Sequence, residues 1–169
     1  MIVLISIYKN DNASHLRLSI DSILHQTYSD FRILIGVDGY VDALLAETLK
    51  SYEQDNRIKV FWFKENRGLT AVLNELLEEG KKLNPSYIAR MDADDISRPN
   101  RFEKQVRYLE EHPDLDVLGG AIEEMDYDGK LNGKVIHYPL NHQQCFDFFA
   151  TRNPLAHPAV MFRTSFFDR

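Results

Sequence analysis

Four short apolar runs, each followed by a segment with helical spacing or a tight polar loop, constrain this chain more than any other feature. Ile2–Tyr8 (IVLISIY), Phe31–Val37 (FRILIGV), Ile58–Phe63 (IKVFWF) and Tyr87–Met91 (YIARM) are short, mostly apolar and rich in β-branched and aromatic residues, so they predict buried strands. Between them the apolar residues recur at helical intervals: Leu16, Ile20, Ile23 and Leu24; Leu45, Leu49 and Tyr52; Leu69, Val72, Leu73, Leu76 and Leu77. Asn12 or Ser14 is placed to cap the first of these helices and Asp42 the second. Strands alternating with helices predict an α/β fold with a mostly parallel central sheet and helices on both faces.

The second half has a different pattern. Pro99 precedes a helix running to about His112, with Phe102, Val106 and Leu109 as its apolar stripe. Two strand-like stretches, DVLGGAIEEMDY and KLNGKVIHY, flank Asp128-Gly129 and predict a small β-hairpin region. A short aromatic helix around His142–Ala150 and a strand over His157–Arg163 complete the chain. No repeat or linker divides its 169 residues, so they predict one domain.

Composition narrows the partners. A net charge of −6 lacks the basic balance of a nucleic-acid binder, and an anionic small ligand would need positive charge supplied locally. The one cysteine, Cys145, allows no internal disulfide and suits a reducing compartment. The N-terminal run lacks the basic start and length of a signal peptide, and no stretch is long enough to span a bilayer. The expectation is a cytoplasmic chain.

In a parallel sheet, ligands bind at the carboxyl ends of the strands. The loop after the fourth strand holds Asp92, Asp94 and Asp95 in four positions. Such like charges repel unless something offsets them. Carboxylates suit Mg²⁺ or Mn²⁺, which keep open positions for phosphate oxygens; a solvated turn capping the Pro99 helix is the plainer alternative. The other strand-end loops offer Tyr8, to stack on or border a base; Asp38, to accept from a base N–H; and Asn66, Arg67 and Gly68 at a helix start suited to anions. A core tyrosine, a simple turn and a solvated arginine are their structural alternatives.

Taken together, LISIYKND, SILHQTY, VDGYVD, NRGLTAVLN, MDADDISRPNRFEKQVRYLEEHPDLDVLGG and NPLAHPAVMFR resemble the N-terminal catalytic region of family 2 glycosyltransferases, which have a GT-A, Rossmann-like fold. The likeness covers essentially the whole chain. It implies inverting transfer of a sugar from a nucleotide-diphosphate donor, expected to be a UDP-sugar, to a hydroxyl of a saccharide or lipid-linked acceptor. The setting would be bacterial-type polysaccharide or glycolipid synthesis, with peripheral membrane association of a longer protein.

Carried over by position, the resemblance implies that Ser6, Ile7 and Tyr8 line the nucleoside pocket and Asp38 binds the base. Asn66 and Gly68 shape the wall; Arg67 or Arg90 is this chain's own candidate for the phosphate contact that the family's arginine makes where Leu73 stands. Asp92 and Ala93 border ribose and diphosphate, and Asp94 binds Mg²⁺ or Mn²⁺. Asp95 lies behind the metal or on the sugar side. Read apart from the resemblance, His157 precedes Pro158 at a strand start, where it could reach the diphosphate or the metal; a structural histidine is the alternative. The chain departs from the family's pattern at four points. It has one aspartate in VDGY where many members have DDGS, and Ser6 where many have proline. It has Leu73 where many have arginine, and no Glu-Asp pair follows HPAVMFR. That pair supplies the general base, so the base is expected beyond Arg169, and this chain alone would transfer sugar poorly or not at all. A binding or scaffolding module that kept the fold and lost catalysis is the alternative function. A haloacid-dehalogenase-like phosphotransferase would want its acidic pair after the first strand, and a sugar nucleotidyltransferase a Gly-rich first loop; SIYKNDN has no glycine.

Overall fold

The computed structural model describes residues 1–168. Strands β1 (Ile2–Ile7), β2 (Arg32–Asp38), β3 (Ile58–Phe63) and β4 (Tyr87–Arg90) alternate with helices α1 (Ala13–Leu24), α2 (Ala43–Tyr52) and α3 (Leu69–Lys81). Then follow α4 (Arg101–Glu111), β5 (Val117–Leu118), β6 (Ile122–Met125), β7 (Leu131–Ile136), α5 (His142–Phe148) and β8 (Met161–Arg163). Six strands form one sheet in the order β3-β2-β1-β4-β8-β5. The first four are parallel, and β8 runs antiparallel to both β4 and β5.

Alternation along β1 divides the core. Val3, Ile5 and Ile7 point to one face, where they meet Leu16, Ile20 and Ile23 of α1, Leu45 and Leu49 of α2, and Phe102, Val106 and Leu109 of α4. Ile2 and Leu4 point to the other, against Val72 and Leu76 of α3. Each fully buried Ile or Leu contributes about 1.5–3 kcal/mol relative to exposure, so this two-sided burial fixes the register of the central strands. On the second face α3 lies so close to β2 that a Cβ at Gly36 would fall 2.4 Å from Val72 Cγ1.

The caps fall where the sequence puts them. Asn12 accepts from the N–H groups of Ser14 and His15, and Asp42 from that of Leu45. Two expectations change. Val117–Leu118 does not join the hairpin but pairs with β8, and only Ile122–Met125 pairs with β7. The break falls at Gly119-Gly120, where Gly119 passes so near Leu155 that a Cβ would lie 2.8 Å from its Cδ2. The last strand is also shorter than expected: His157–Ala159 forms a 3₁₀ turn, and β8 begins at Met161. Pro158 lies within that turn and has no N–H to give to a ladder.

Candidate functional site

Because β1 pairs with both β2 and β4, the loop after β1 lies beside the loop after β4. The acidic turn of residues 92–95 is fastened from below by α1. Ser19 Oγ donates to the Asp92 carbonyl at 2.9 Å, and Ser22 Oγ accepts the Ser97 N–H at 2.9 Å. Gln26 donates to Ser97 Oγ and to the Arg98 carbonyl, and accepts the Phe102 N–H. Ser19 and Gln26 are buried, so α1 carries a polar seam dedicated to holding this turn. A second buried fastening comes from α4. Arg101 Nη2 donates to the carbonyls of Arg90 and Val160 at 3.1 and 3.2 Å, and its Nε to Gln105 Oε1 at 2.9 Å. Gln105 in turn donates to the Ala159 carbonyl. The Arg101–Gln105 pair thus clasps the end of β4 to the start of β8.

Four carboxylates share the site. Asp92 pairs with Arg90 at 3.0 Å, yet burial still pushes its carboxyl above the usual range. Burial, reinforced by Asp94 and Asp92, pushes Asp95 up to about 6. Asp11, from the loop after β1, is raised first by burial and further by Asp94 and Asp92; the N–H of Tyr8, donating at 2.8 Å, works the other way. Asp94 is exposed. Burial lowers Arg101 to about 10 even though Asp95 and Asp92 favour its charge. Arg90 Nε is buried and has no hydrogen-bond partner among the described residues. Among those residues no three His, Cys, Asp or Glu side chains form a ready-made metal cage. The turn therefore offers a hard cation one or two carboxylates, the share that Mg²⁺ takes when phosphate and water fill its other positions. Asp11, Asp92 and Asp95, whose carboxyls are raised first by burial, would be favoured in their ionised form by a nearby cation.

The other predicted residues take varied places. Tyr8 is exposed at the end of β1, while Ser6 is half-buried in it. Ile7 and Ala93 are buried in the core, so only their backbone borders the loops. Asp38 is 3% exposed and spends both oxygens on backbone: Oδ1 accepts the Arg67 N–H at 2.7 Å and Oδ2 the Gly68 N–H at 2.9 Å. Asn66 donates to the Asp38 carbonyl. The Arg67 guanidinium pairs with Glu75 at 2.7 Å and lies over the Phe63 ring, so its charge is held along α3. Leu73 packs against the α3 side of the core, where it serves as an apolar contact. His157 lies near enough to Asp92 to interact with it electrostatically, and its ring meets Asn153.

Sequence reasoning missed Asp11, Arg101, Gln105 and the Ser19–Ser22–Gln26 seam. The last carried a signal: polar residues at helical spacing on a face otherwise meant for the core.

The family profile described as "Glycosyl transferase family 2" matches residues 2–167. The chain belongs to glycosyl transferase family 2. Among the relatives of this family 2 chain, the O-antigen biosynthesis glycosyltransferase WbnJ of Escherichia coli is 37% identical over 162 residues, covering 95% of this chain and 60% of WbnJ. The family 2 chain therefore spans about three-fifths of that relative's length. Solved structures share its fold, among them two nucleotide-sugar complexes. S. aureus TarS 1–349 in complex with UDP-GlcNAc superposes with a TM-score of 0.68 at 15% identity, over 99% of this chain and 47% of the other. The mannosyltransferase PcManGT from Pyrobaculum calidifontis, in complex with GDP-Man and Mn²⁺, gives 0.67 at 13% identity, over 99% and 46%. The fold of this family 2 member is GT-A.

Proposed function

We propose that this chain binds the nucleotide-diphosphate sugar, expected to be a UDP-sugar, of an inverting, metal-dependent glycosyltransferase of bacterial-type polysaccharide or glycolipid synthesis. The observation that carries the reading is the acidic turn at the end of β4, set beside the β1 loop and fastened by α1 and α4. The relative WbnJ supports the O-antigen setting, and the nucleotide-sugar complexes of the two structural neighbours support the donor class.

In this reading Asp94, the exposed member, holds Mg²⁺ or Mn²⁺. The ion supplies Lewis-acid stabilisation of charge on the departing diphosphate. Asp92, oriented by Arg90 and by the Ser19 bond to its carbonyl, faces the ribose and diphosphate. Tyr8 borders the base. Asp38 fixes the loop that walls the nucleoside pocket. Asp95 and His157 stand behind or beside the metal and diphosphate. The general base is assigned to no carboxylate of this chain, and the acceptor is a saccharide or lipid-linked hydroxyl. No helix among the described residues is long and apolar enough to cross a membrane.

Calorimetry of UDP binding with saturating Mn²⁺ tests the reading. Binding is expected for the wild type and a loss of at least about tenfold, or ~1.4 kcal/mol, for Asp94→Ala. Absence of metal-dependent UDP binding in the wild type would favour a scaffolding module of the same fold.

A further inference from the structure

Asn153 stands four residues before His157, and both ends of its side-chain amide are engaged. Its Oδ1 accepts the backbone N–H of Leu155 at 3.0 Å. Its Nδ2 meets His157 Nε2 at 2.7 Å. The first contact sets the direction of the amide, because turning it over would oppose an NH₂ to a backbone N–H. The NH₂ end therefore faces the ring. That group only donates, so Nε2 must present its lone pair, and the single proton of the imidazole resides on Nδ1. The backbone reinforces the placement: Val160 N–H donates to the His157 carbonyl, and the Arg101–Gln105 clasp grips Val160 and Ala159. The ring is thus held by contacts on both sides of Pro158.

We propose that Asn153 is a positioning residue that holds His157 as its neutral Nδ1–H tautomer, leaving a hydrogen-bond donor and no free imidazole lone pair for an incoming ligand. The inference rests on the nucleotide-binding reading above and sharpens it, because it chooses the partner of His157. A metal ion takes the lone pair of a ring nitrogen, and here that lone pair is occupied by Asn153. A remaining N–H suits an anionic phosphate oxygen. In the nucleotide-binding reading His157 is therefore offered to the diphosphate as a donor through Nδ1, while its Nε2 is withheld from the metal.

The tautomer can be read directly. In the full chain labelled with ¹⁵N-histidine, long-range ¹H–¹⁵N spectra should show a pyridine-like Nε2 and a pyrrole-like Nδ1 for His157, assigned by the loss of its signals in H157Q. Asn153→Asp, whose carboxylate only accepts, should put a proton on Nε2; Asn153→Leu should release the ring to a tautomer mixture. With Mn²⁺ saturating, N153L and H157Q should each weaken UDP about three- to tenfold, and the double variant no further. Binding of Mn²⁺ alone should stay within about twofold in all of them. A pyrrole-like Nε2 in the wild type overturns the proposal. So does a loss of Mn²⁺ affinity in H157Q as large as the loss of UDP affinity. A wild type that binds no UDP removes the diphosphate assignment together with the nucleotide reading, whereas the spectrum decides the role of Asn153 on its own.

Discussion

Asp38→Asn isolates one job from another at the same residue. The substitution keeps shape and volume, so packing is unchanged. What it removes is a buried carboxylate accepting two backbone N–H groups at 2.7 and 2.9 Å. Asparagine keeps one oxygen and sets an NH₂ against the other N–H. The lost bond to a charged acceptor is worth about 1.5–3 kcal/mol, and the orphaned, partly buried N–H costs up to about 1–3 kcal/mol on the same scale. These overlap, and about 2–4 kcal/mol is the expected loss. Gly68 caps α3, so loss of the negative charge at that helix start adds a few tenths. The loop cannot easily shift to compensate, because Gly39 has φ +82° and a Cβ there would fall 2.9 Å from Asn66 N. Urea unfolding at pH 7 measures the loss, and amide exchange at Arg67 and Gly68 locates it. Destabilisation below about 0.5 kcal/mol with both amides still protected would refute the reasoning. If base recognition were the only task of Asp38, the substitution would alter nucleotide affinity and leave stability alone.

Arg101→Met leaves the carbonyls of Arg90 and Val160 and the Gln105 amide oxygen without their donor, offset in part by removal of a buried charge. A net loss of about 2–4 kcal/mol is expected, and R101K should restore less than half of it, since an ammonium cannot reproduce the planar fork; full rescue by lysine in thermal unfolding would show that charge alone matters. Asp95 gives a pH test in metal-free protein. Its carboxyl is raised to about 6 by burial, then by Asp94 and Asp92, above its ordinary value of about 3.9. The folded state thus holds this proton more tightly than the unfolded one, so the contribution is favourable below about pH 4 and is lost between about pH 4 and 6. Asp95→Asn should therefore raise the melting temperature at pH 7.5 in EDTA and leave it unchanged at pH 4; equal effects at both would contradict the assignment.

The parallel half of the fold was legible because each of its elements announces itself locally, by strand-like runs, helical spacing and caps at Asn12 and Asp42. That placed the acidic turn at a ligand-bearing strand end. What stayed hidden depends on strand order. Sequence order does not say that β1 lies next to β4, so nothing local shows Asp11 beside Asp92 and Asp94. Asp38 was singled out at its strand end, but its bonds to residues 67 and 68 become visible only once β2 is paired with β3, which sets the loops after the two strands side by side. The split between β5 and the hairpin turns on how closely Gly119 passes Leu155, a contact 36 residues apart in sequence.

The antiparallel course of β8 has a consequence for how such a chain can vary. Its ladder with β4 pairs Ala89 with Met161 and Tyr87 with Arg163, so the start of β8 arrives at the carboxyl end of β4 without a crossover helix. His157 is anchored from that end, by the Arg101–Gln105 clasp and by Asn153. The hairpin and α5 between β5 and that anchor contribute no residue to either main core cluster. This stretch meets the first half of the fold through surface contacts, Glu123 with Arg98 and Tyr127 with His15, so its length and outer surface can vary most freely away from those two points, while α1 and α4 hold the acidic turn.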